Sequence, residues 1–318
     1  GLLYAVVRHC PMIGGSAGAV DVVAATKLPG VERVVRLGPQ AGSTYALAVI
    51  GATYWHARQG ANALEVAWQA PPGGLLDTQA IAAALDETAR AAAADGGGFA
   101  FYRRGDVTQA ERTAARHFEQ AYRAPYLAHA TMEPINCTAR VAGGKVEVWV
   151  PTQAPSLARA LAARVAQVPE DAVTLHVTYL GGGFGRRLDV DVVGQAVRIA
   201  LETGGRPVQL IWPREEDLTH DFYRPAGAAV LRASLDAAGM PIALAITSAG
   251  DAITPRWIER GIPWLAGPLD LPDKTASEGL FDQQYEIANQ RIAHVATRHG
   301  MPVGYWRSVG HSHNAFFS

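Results

Sequence analysis

Four glycines wrapped around one phenylalanine, Gly181-Gly182-Gly183-Phe184-Gly185, are the residues best placed to do chemistry. An apolar β-type run, Val173 to Leu180, leads into them. Arg186 and Arg187 follow, and then a helical pattern from Val190 to Leu201. A strand that breaks into glycines before a helix lets the backbone approach a ligand closely, and its amides can bind a phosphate or another oxygen-rich group. A lone glycine-rich turn is weak evidence, since a plain tight turn has the same composition. The dinucleotide fingerprint needs G-x-G-x-x-G and an acidic residue about 20 residues further on. The order here is G-G-G-F-G-R-R, so the third spacing fails, and the G-K-S or G-K-T of a P-loop is absent.

Other candidates are scattered. Gln153 sits in a Trp-Val-Pro-Thr-Gln turn before a helical pattern. A neutral amide there can hydrogen-bond an oxo or carbonyl group; helix capping is the plainer reading. Arg214-Glu215-Glu216-Asp217, and Arg224 after His220-Asp221-Phe222-Tyr223, follow a strand-like run at 207–212. Charges at the carboxyl end of a strand face the ligand crevice of an α/β sheet, although a charge run is as often a solvated loop. His311 and His313 have the same-face spacing of a strand, and with His129 or His220 they could hold zinc. No second ligand pair has a recognisable spacing, so no metal ligand is assigned. Position alone assembles no Ser-His-Asp set.

The elements that must carry these residues read as follows. Leu2–Val7, Val31–Leu37 and Tyr45–Ile50 are short β-type runs, with helices at Val20–Thr26 and Tyr54–Leu64. Ala70-Pro71-Pro72-Gly73-Gly74 is a break, and an alanine-rich helix from Thr78 to Ala94 reads as a surface or linker helix. Beyond Phe101, Ala114–Arg123, Thr138–Val141 and the cleanly alternating Lys145–Val150 are extended, and a helix runs from Pro155 to about Gln167. Ala228–Leu235 and Pro241–Ala249 form a hairpin pair; a loop covers about 252–285; Ile292–His299 and Val303–Arg307 are β. The strand–helix–strand order at 173–212 suits an α/β layer.

At 318 residues two domains are the prior, and 49% apolar residues are enough for real cores. Lys+Arg 28 against Asp+Glu 29 gives no reason to expect nucleic acid or an anionic membrane as partner. Cys10 and Cys137 are too few for an iron–sulfur or zinc site, and are expected as free buried thiols. No apolar run reaches the roughly 18 residues that span a bilayer. The chain opens directly on a strand-like run and stops within an apolar pattern. It is therefore expected to be a fragment of a larger polypeptide.

Taken together, these motifs resemble the molybdenum-cofactor-binding large subunit of the xanthine oxidase family. The similarity is greatest to the branch of isoquinoline 1-oxidoreductase β subunits and membrane-linked aldehyde dehydrogenases. It runs almost end to end: Leu-Tyr-Ala-Val-Val-Arg-His-Cys-Pro at 3–11, His-Ala-Thr-Met-Glu-Pro-Ile-Asn-Cys at 129–137, and Trp-Val-Pro-Thr-Gln-Ala-Pro at 149–155. Gly-Gly-Gly-Phe-Gly-Arg-Arg at 181–187, Trp-Pro-Arg-Glu-Glu-Asp at 212–217, His-Asp-Phe-Tyr-Arg-Pro at 220–225 and Gly-Tyr-Trp-Arg-Ser-Val-Gly-His-Ser-His-Asn-Ala-Phe at 304–316 complete it.

The resemblance implies an α+β fold: an α/β hammerhead domain over 1–72 that lacks its start, a linker helix over 73–104, and a first molybdopterin-binding domain, of mixed α/β type, over 105–318. It implies a molybdopterin cofactor, often a cytosine dinucleotide, whose metal takes no protein side chain. Gln153 matches the glutamine at the apical oxo group. Gly182, Gly183, Phe184 and Gly185 match the loop lying against the metal's ligands, and Trp306, Arg307 and Ser308 a second cofactor-binding loop. Arg224 aligns loosely with a substrate-side arginine. The implied activity is oxidation of aldehydes or hydroxylation of N-heteroaromatic compounds. The implied partners are the rest of the same subunit and a small subunit with two [2Fe–2S] clusters; in this branch a haem-bearing cytochrome c often follows. The implied location is the periplasm or the periplasmic face of the inner membrane. The family's general base is a glutamate in a Gly-x-Gly-Glu motif far towards the carboxyl end. No such motif is present, so no catalytic residue is assigned and the base is expected beyond Ser318. The fragment alone is then expected to be inactive. Two other readings compete: a nucleotide- or phosphate-binding α/β protein, and a non-catalytic assembly module.

Overall fold

The computed structural model describes residues 1–267 and 272–318. Two compact units, each discontinuous in sequence, make up the chain: 1–75 with 128–222, and 76–127 with 223–318.

The first unit is built on a seven-stranded mixed sheet. Its order is Val173–Val177, Lys145–Val150, Asn136–Ala142, Val208–Ile211, Leu3–His9, Ala46–Gly51, Val31–Leu37. Leu3–His9 pairs parallel with Val208–Ile211 and antiparallel with Ala46–Gly51. This central place explains why five of its seven residues are fully buried rather than alternating. The sequential division at residues 72 and 105 therefore does not coincide with the compact units, because one sheet uses strands from both sides of it. The helix Asp191–Ala200 is buried on nearly every side, with only Arg198 reaching outward. Pro155 starts the helix Pro155–Ala166, and Gln167 ends it in the left-handed conformation at φ +56°.

The second unit is a five-stranded sheet in the order Phe99–Arg104, Asn289–Thr297, Pro241–Asp251, Gly227–Leu235, Arg116–Ala124. The expected hairpin is present, with Gly227–Leu235 antiparallel to Pro241–Asp251. The helix Thr78–Asp95, expected as a linker, is a packed element. Its Ile81, Leu85, Ala89 and Ala93 cluster with Ala228, Val230 and Ala249 of the sheet and with the neighbouring Ala226. Alanine makes that face shallow, so the sequence pattern undersells how closely the helix lies on its sheet.

The architecture is α+β, as expected, but several elements differ. Val20–Thr26 splits into the strand Ser16–Asp21 and the short helix Val23–Thr26, where the Asp21 side chain accepts from Val23 N at 2.8 Å. The charge run after Trp212 is a short helix, Arg214–Thr219, not a loop. Within the loop expected over 252–285, Ile253–Gly261 is helical, and residues 268–271 lie outside the described residues. Asp273 caps that helix from twenty positions away, accepting from Ile253 N at 2.6 Å and Thr254 N at 2.9 Å. Of Val303–Arg307 only Val303 makes a bridge, to Tyr223, and the chain then turns into the helix His311–Phe317. Cys10 and Cys137 are free and buried, as expected. Among the described residues no helix is long and apolar enough to cross a membrane.

Candidate functional site

The strand Val173–Val177 ends earlier than expected. Thr178 still donates to Val150 O at 3.2 Å, but Tyr179 is fully exposed and the chain leaves the sheet. The next turns require glycine: Gly182 has φ +104° and Gly185 φ +109°. Phe184, between them, holds φ +55° and is 43% exposed. A non-glycine residue in this region marks local strain, and strain is concentrated where a backbone must face a ligand.

The loop closes on Gln153. Gln153 Oε1 accepts from Gly185 N at 3.2 Å, and a Cβ on Gly183 would lie 2.6 Å from that oxygen. With its oxygen so engaged, the amide keeps its Nε2 for another acceptor. Among the described residues neither this Nε2 nor the backbone N–H groups of Gly182, Gly183 and Phe184 has a partner. Gly183 is buried all the same. Four neutral donors without a partner, three in the loop and one on the Gln153 side chain it closes on, suit a negatively charged group rich in oxygen or sulfur.

Behind the loop the two arginines of Gly-Arg-Arg point inward rather than at solvent. Arg186, 1% exposed, makes a fork to Asp191 with both contacts at 3.0 Å and meets Asp221 through Nε at 2.9 Å. Its guanidinium lies 5.0 Å from the Phe222 ring centre. Burial alone would lower its pKa; Asp191 and Asp221 outweigh it and hold the group above the ordinary arginine value. Asp221 also accepts from the His129 ring at 2.9 Å. The pair of arginines is thus a buried charge network.

The second loop lies in the other unit. Val309 donates to Trp306 O at 2.7 Å, with Ser308 at φ +65° and Val309 at φ +48°. The N–H groups of Arg307 and Ser308 have no partner among the described residues. Arg224, also in that unit, is 6% exposed; it donates to Pro125 O at 2.6 Å and Ser312 Oγ at 3.1 Å. Two of its nitrogens are thus committed to structure. His311 and His313 are on a helix, where an i, i+2 spacing points to different faces. The strand geometry that suggested zinc does not exist, and His129 is held by Asp221.

Sequence reasoning missed a different cluster. Ligand atoms of His9, Glu216 and His220 lie within 4.8 Å of one another. The hydrogen bonds assign their protons. Trp212 Nε1 donates to Gln195 Oε1 at 3.0 Å, so Gln195 Nε2 must donate to His9 Nε2 at 2.9 Å. His9 Nδ1 then carries the hydrogen, directed at Glu216 Oε2 at 2.8 Å. A metal would need that nitrogen bare, so the cluster is a hydrogen-bonded chain and not a metal centre. Burial lowers the His9 pKa despite Glu216. Burial would raise the Glu216 carboxyl, but hydrogen bonds from His220 and His9 pull it to about 2.

Both shifts have the same consequence. A histidine depressed below 6.5 and a glutamate depressed below 4.5 both take up protons more readily when unfolded. Stability is expected to fall as pH drops below 6.5, and to go on falling through 4.5 towards about 2. Urea midpoints measured across this range should show that slope, and His9→Asn should flatten its upper part. An unchanged slope in the variant would contradict the assignment.

The comparisons with known proteins show the family. The molybdopterin cofactor-binding domain profile matches residues 93–318. The chain is 29% identical to the isoquinoline 1-oxidoreductase subunit beta of Brevundimonas diminuta, over 98% of this chain and 39% of that protein. It is 30% identical to the membrane-bound aldehyde dehydrogenase (pyrroloquinoline-quinone) of Gluconacetobacter polyoxogenes, over 74% of this chain and 30% of that one. In fold it resembles quinoline 2-oxidoreductase from Pseudomonas putida 86, with TM-score 0.68 at 20% identity, over 99% of this chain and 43% of that chain. The aldehyde oxidoreductase of Desulfovibrio gigas gives TM-score 0.64 at 16% identity, over 97% of this chain and 36% of that one. The chain thus spans less than half of the length of each. With its motifs and fold in agreement with that match, it belongs to the molybdopterin cofactor-binding domain family, within the large subunits of the xanthine oxidase family.

Proposed function

We propose that this chain forms part of the molybdenum-cofactor pocket of an oxidoreductase subunit that oxidises aldehydes or hydroxylates N-heteroaromatic compounds. The observation that carries the reading is the wall formed by Gln153 Nε2 and the unpartnered amides of Gly182, Gly183 and Phe184. None of these donors titrates, so the wall can face a negatively charged group without a compensating proton. The names of the relatives support the choice between aldehydes and N-heteroaromatic rings only as a pair. When bound, the cofactor would supply the redox and oxygen-transfer chemistry that these side chains lack.

What the residues themselves do is orient. Gln153 and the glycine amides would hold oxygen or sulfur ligands in place. Donors fixed in advance need no reorganisation as charge develops on an attacked carbonyl oxygen or ring nitrogen. Proton transfer is assigned to a glutamate outside these residues. The cofactor is proposed in its cytosine dinucleotide form. Electrons are proposed to pass to a small subunit with two [2Fe–2S] clusters, and from it to a cytochrome c, since Cys10 and Cys137 are buried and too few to ligate a cluster.

The test is turnover by the assembled complex with an artificial electron acceptor. Oxidation of an aromatic aldehyde, or hydroxylation of quinoline or isoquinoline beside the ring nitrogen, is the expected result. A molybdenum-loaded complex that turns over neither class would contradict the activity. Nucleotide binding at the glycine loop would favour the competing reading.

A further inference from the structure

Arg187 is 2% exposed, and its two ends hold two different segments. At the side-chain end, Nε donates to Gly182 O at 2.7 Å, Nη2 to Glu133 Oε2 at 2.8 Å, and Nη1 to Pro151 O at 3.4 Å. At the backbone end, its carbonyl accepts from Gln153 N at 2.8 Å and Thr152 Oγ1 at 3.2 Å. A single residue thus ties the turn that presents Gln153 to the loop that presents the free amides.

Glu133 holds the same loop from its other side. Its Oε2 accepts from Gly181 N at 2.9 Å, and its backbone N donates to Gly181 O at 3.0 Å. The approach is so close that a Cβ on Gly181 would lie 2.4 Å from Glu133 Cβ. Glu133 is itself fixed, since Asn136 Nδ2 donates to its Oε1 at 2.9 Å and the Thr131 hydroxyl to its carbonyl at 2.7 Å. Loss of one partner would leave the other charge partly buried and unpaired. Lysine could supply the charge at 187, but not the planar fork that reaches Gly182, Glu133 and Pro151 together.

We propose that Glu133 and Arg187 are a positioning pair that sets the spacing between Gln153 and the amides of Gly182, Gly183 and Phe184, and so aims the donors of this wall. The inference rests on the reading of that wall as cofactor-binding. Neither residue is a catalytic residue. They act through Gln153 and the loop.

The test compares the full-length subunit, assembled with its partners, as wild type, Arg187→Lys and Glu133→Gln. One readout needs no cofactor: hydrogen exchange in metal-free protein. In both variants the peptides containing Gln153 and Gly181–Gly185 should exchange about tenfold faster or more, as expected for loss of a charge-assisted hydrogen bond. The strand peptides at 145–150 and 208–211 should not change. The second readout is the electron paramagnetic resonance signature of the bound molybdenum, which should differ from wild type in whatever fraction of Arg187→Lys still loads. Exchange that rises equally across the unit, with an unchanged signature in the loaded fraction, would make the pair merely structural and overturn the proposal. Wild-type subunit that binds no molybdenum at all would overturn the cofactor reading itself, whatever the exchange data show.

Discussion

Gly183→Val should leave the subunit folded and strip it of molybdenum. A side chain at 183 begins with a Cβ 2.6 Å from Gln153 Oε1 and 3.3 Å from Leu180 Cδ2. The nearer obstacle is the far end of a flexible side chain, so the fold can yield locally. What it gives up is the placement of Gln153. Its bond from Gly185 N is displaced, and with it the placement of Nε2. Donors that must converge lose much of their value when one is moved by an ångström. A loss of about tenfold or more in metal occupancy corresponds to about 1.4 kcal/mol, less than the worth of a single well-placed charge-assisted hydrogen bond. Metal analysis beside circular dichroism decides it. Full occupancy with unaltered spectra would remove Gly183 from the site.

Arg186→Met should act on the fold instead. It removes the partner of Asp191 and one partner of Asp221, both nearly inaccessible to solvent. Breaking one side of a buried ion network costs about 3–5 kcal/mol, because the remaining carboxylates must be protonated or hydrated. Urea unfolding should show a loss of this order, and Arg186→Met with Asp191→Leu should recover part of it. A loss under about 1 kcal/mol would mean that the network is exposed to water in solution. The contrast between neighbours is informative: substitution at 183 is expected to act on binding, and substitution at 186 on stability.

The frame of the site was legible in the sequence. The strand into Gly181, the helix after Val190 and the turn at Gln153 all have local signatures: apolar β-branched runs, glycines, and a proline at a helix start. What places them was not legible. Glu133 and Arg187 meet across 54 positions, and no periodicity announces such a pair. Nothing local showed that the two arginines would turn inward, where Asp191 and Asp221 hold one of them and Glu133 the other. Leu3–His9 gave no sign that it would lie beside Val208–Ile211, since register in a sheet is set by long-range pairing. The helix Ile253–Gly261 was hidden for the same reason: its cap, Asp273, is remote in sequence. Glu133 lay in a motif already noted, but its role appears only once Gly181 is seen against it.

The most direct test of the central claim is metal and pterin analysis of the full-length subunit that contains these residues, purified with its partners. The account predicts molybdenum equimolar with the chain, a pterin released on denaturation, and loss of both in Gly183→Val with the fold retained. A folded, assembled subunit that lacks molybdenum and pterin, or a Gly183→Val variant that keeps both in full, would contradict it.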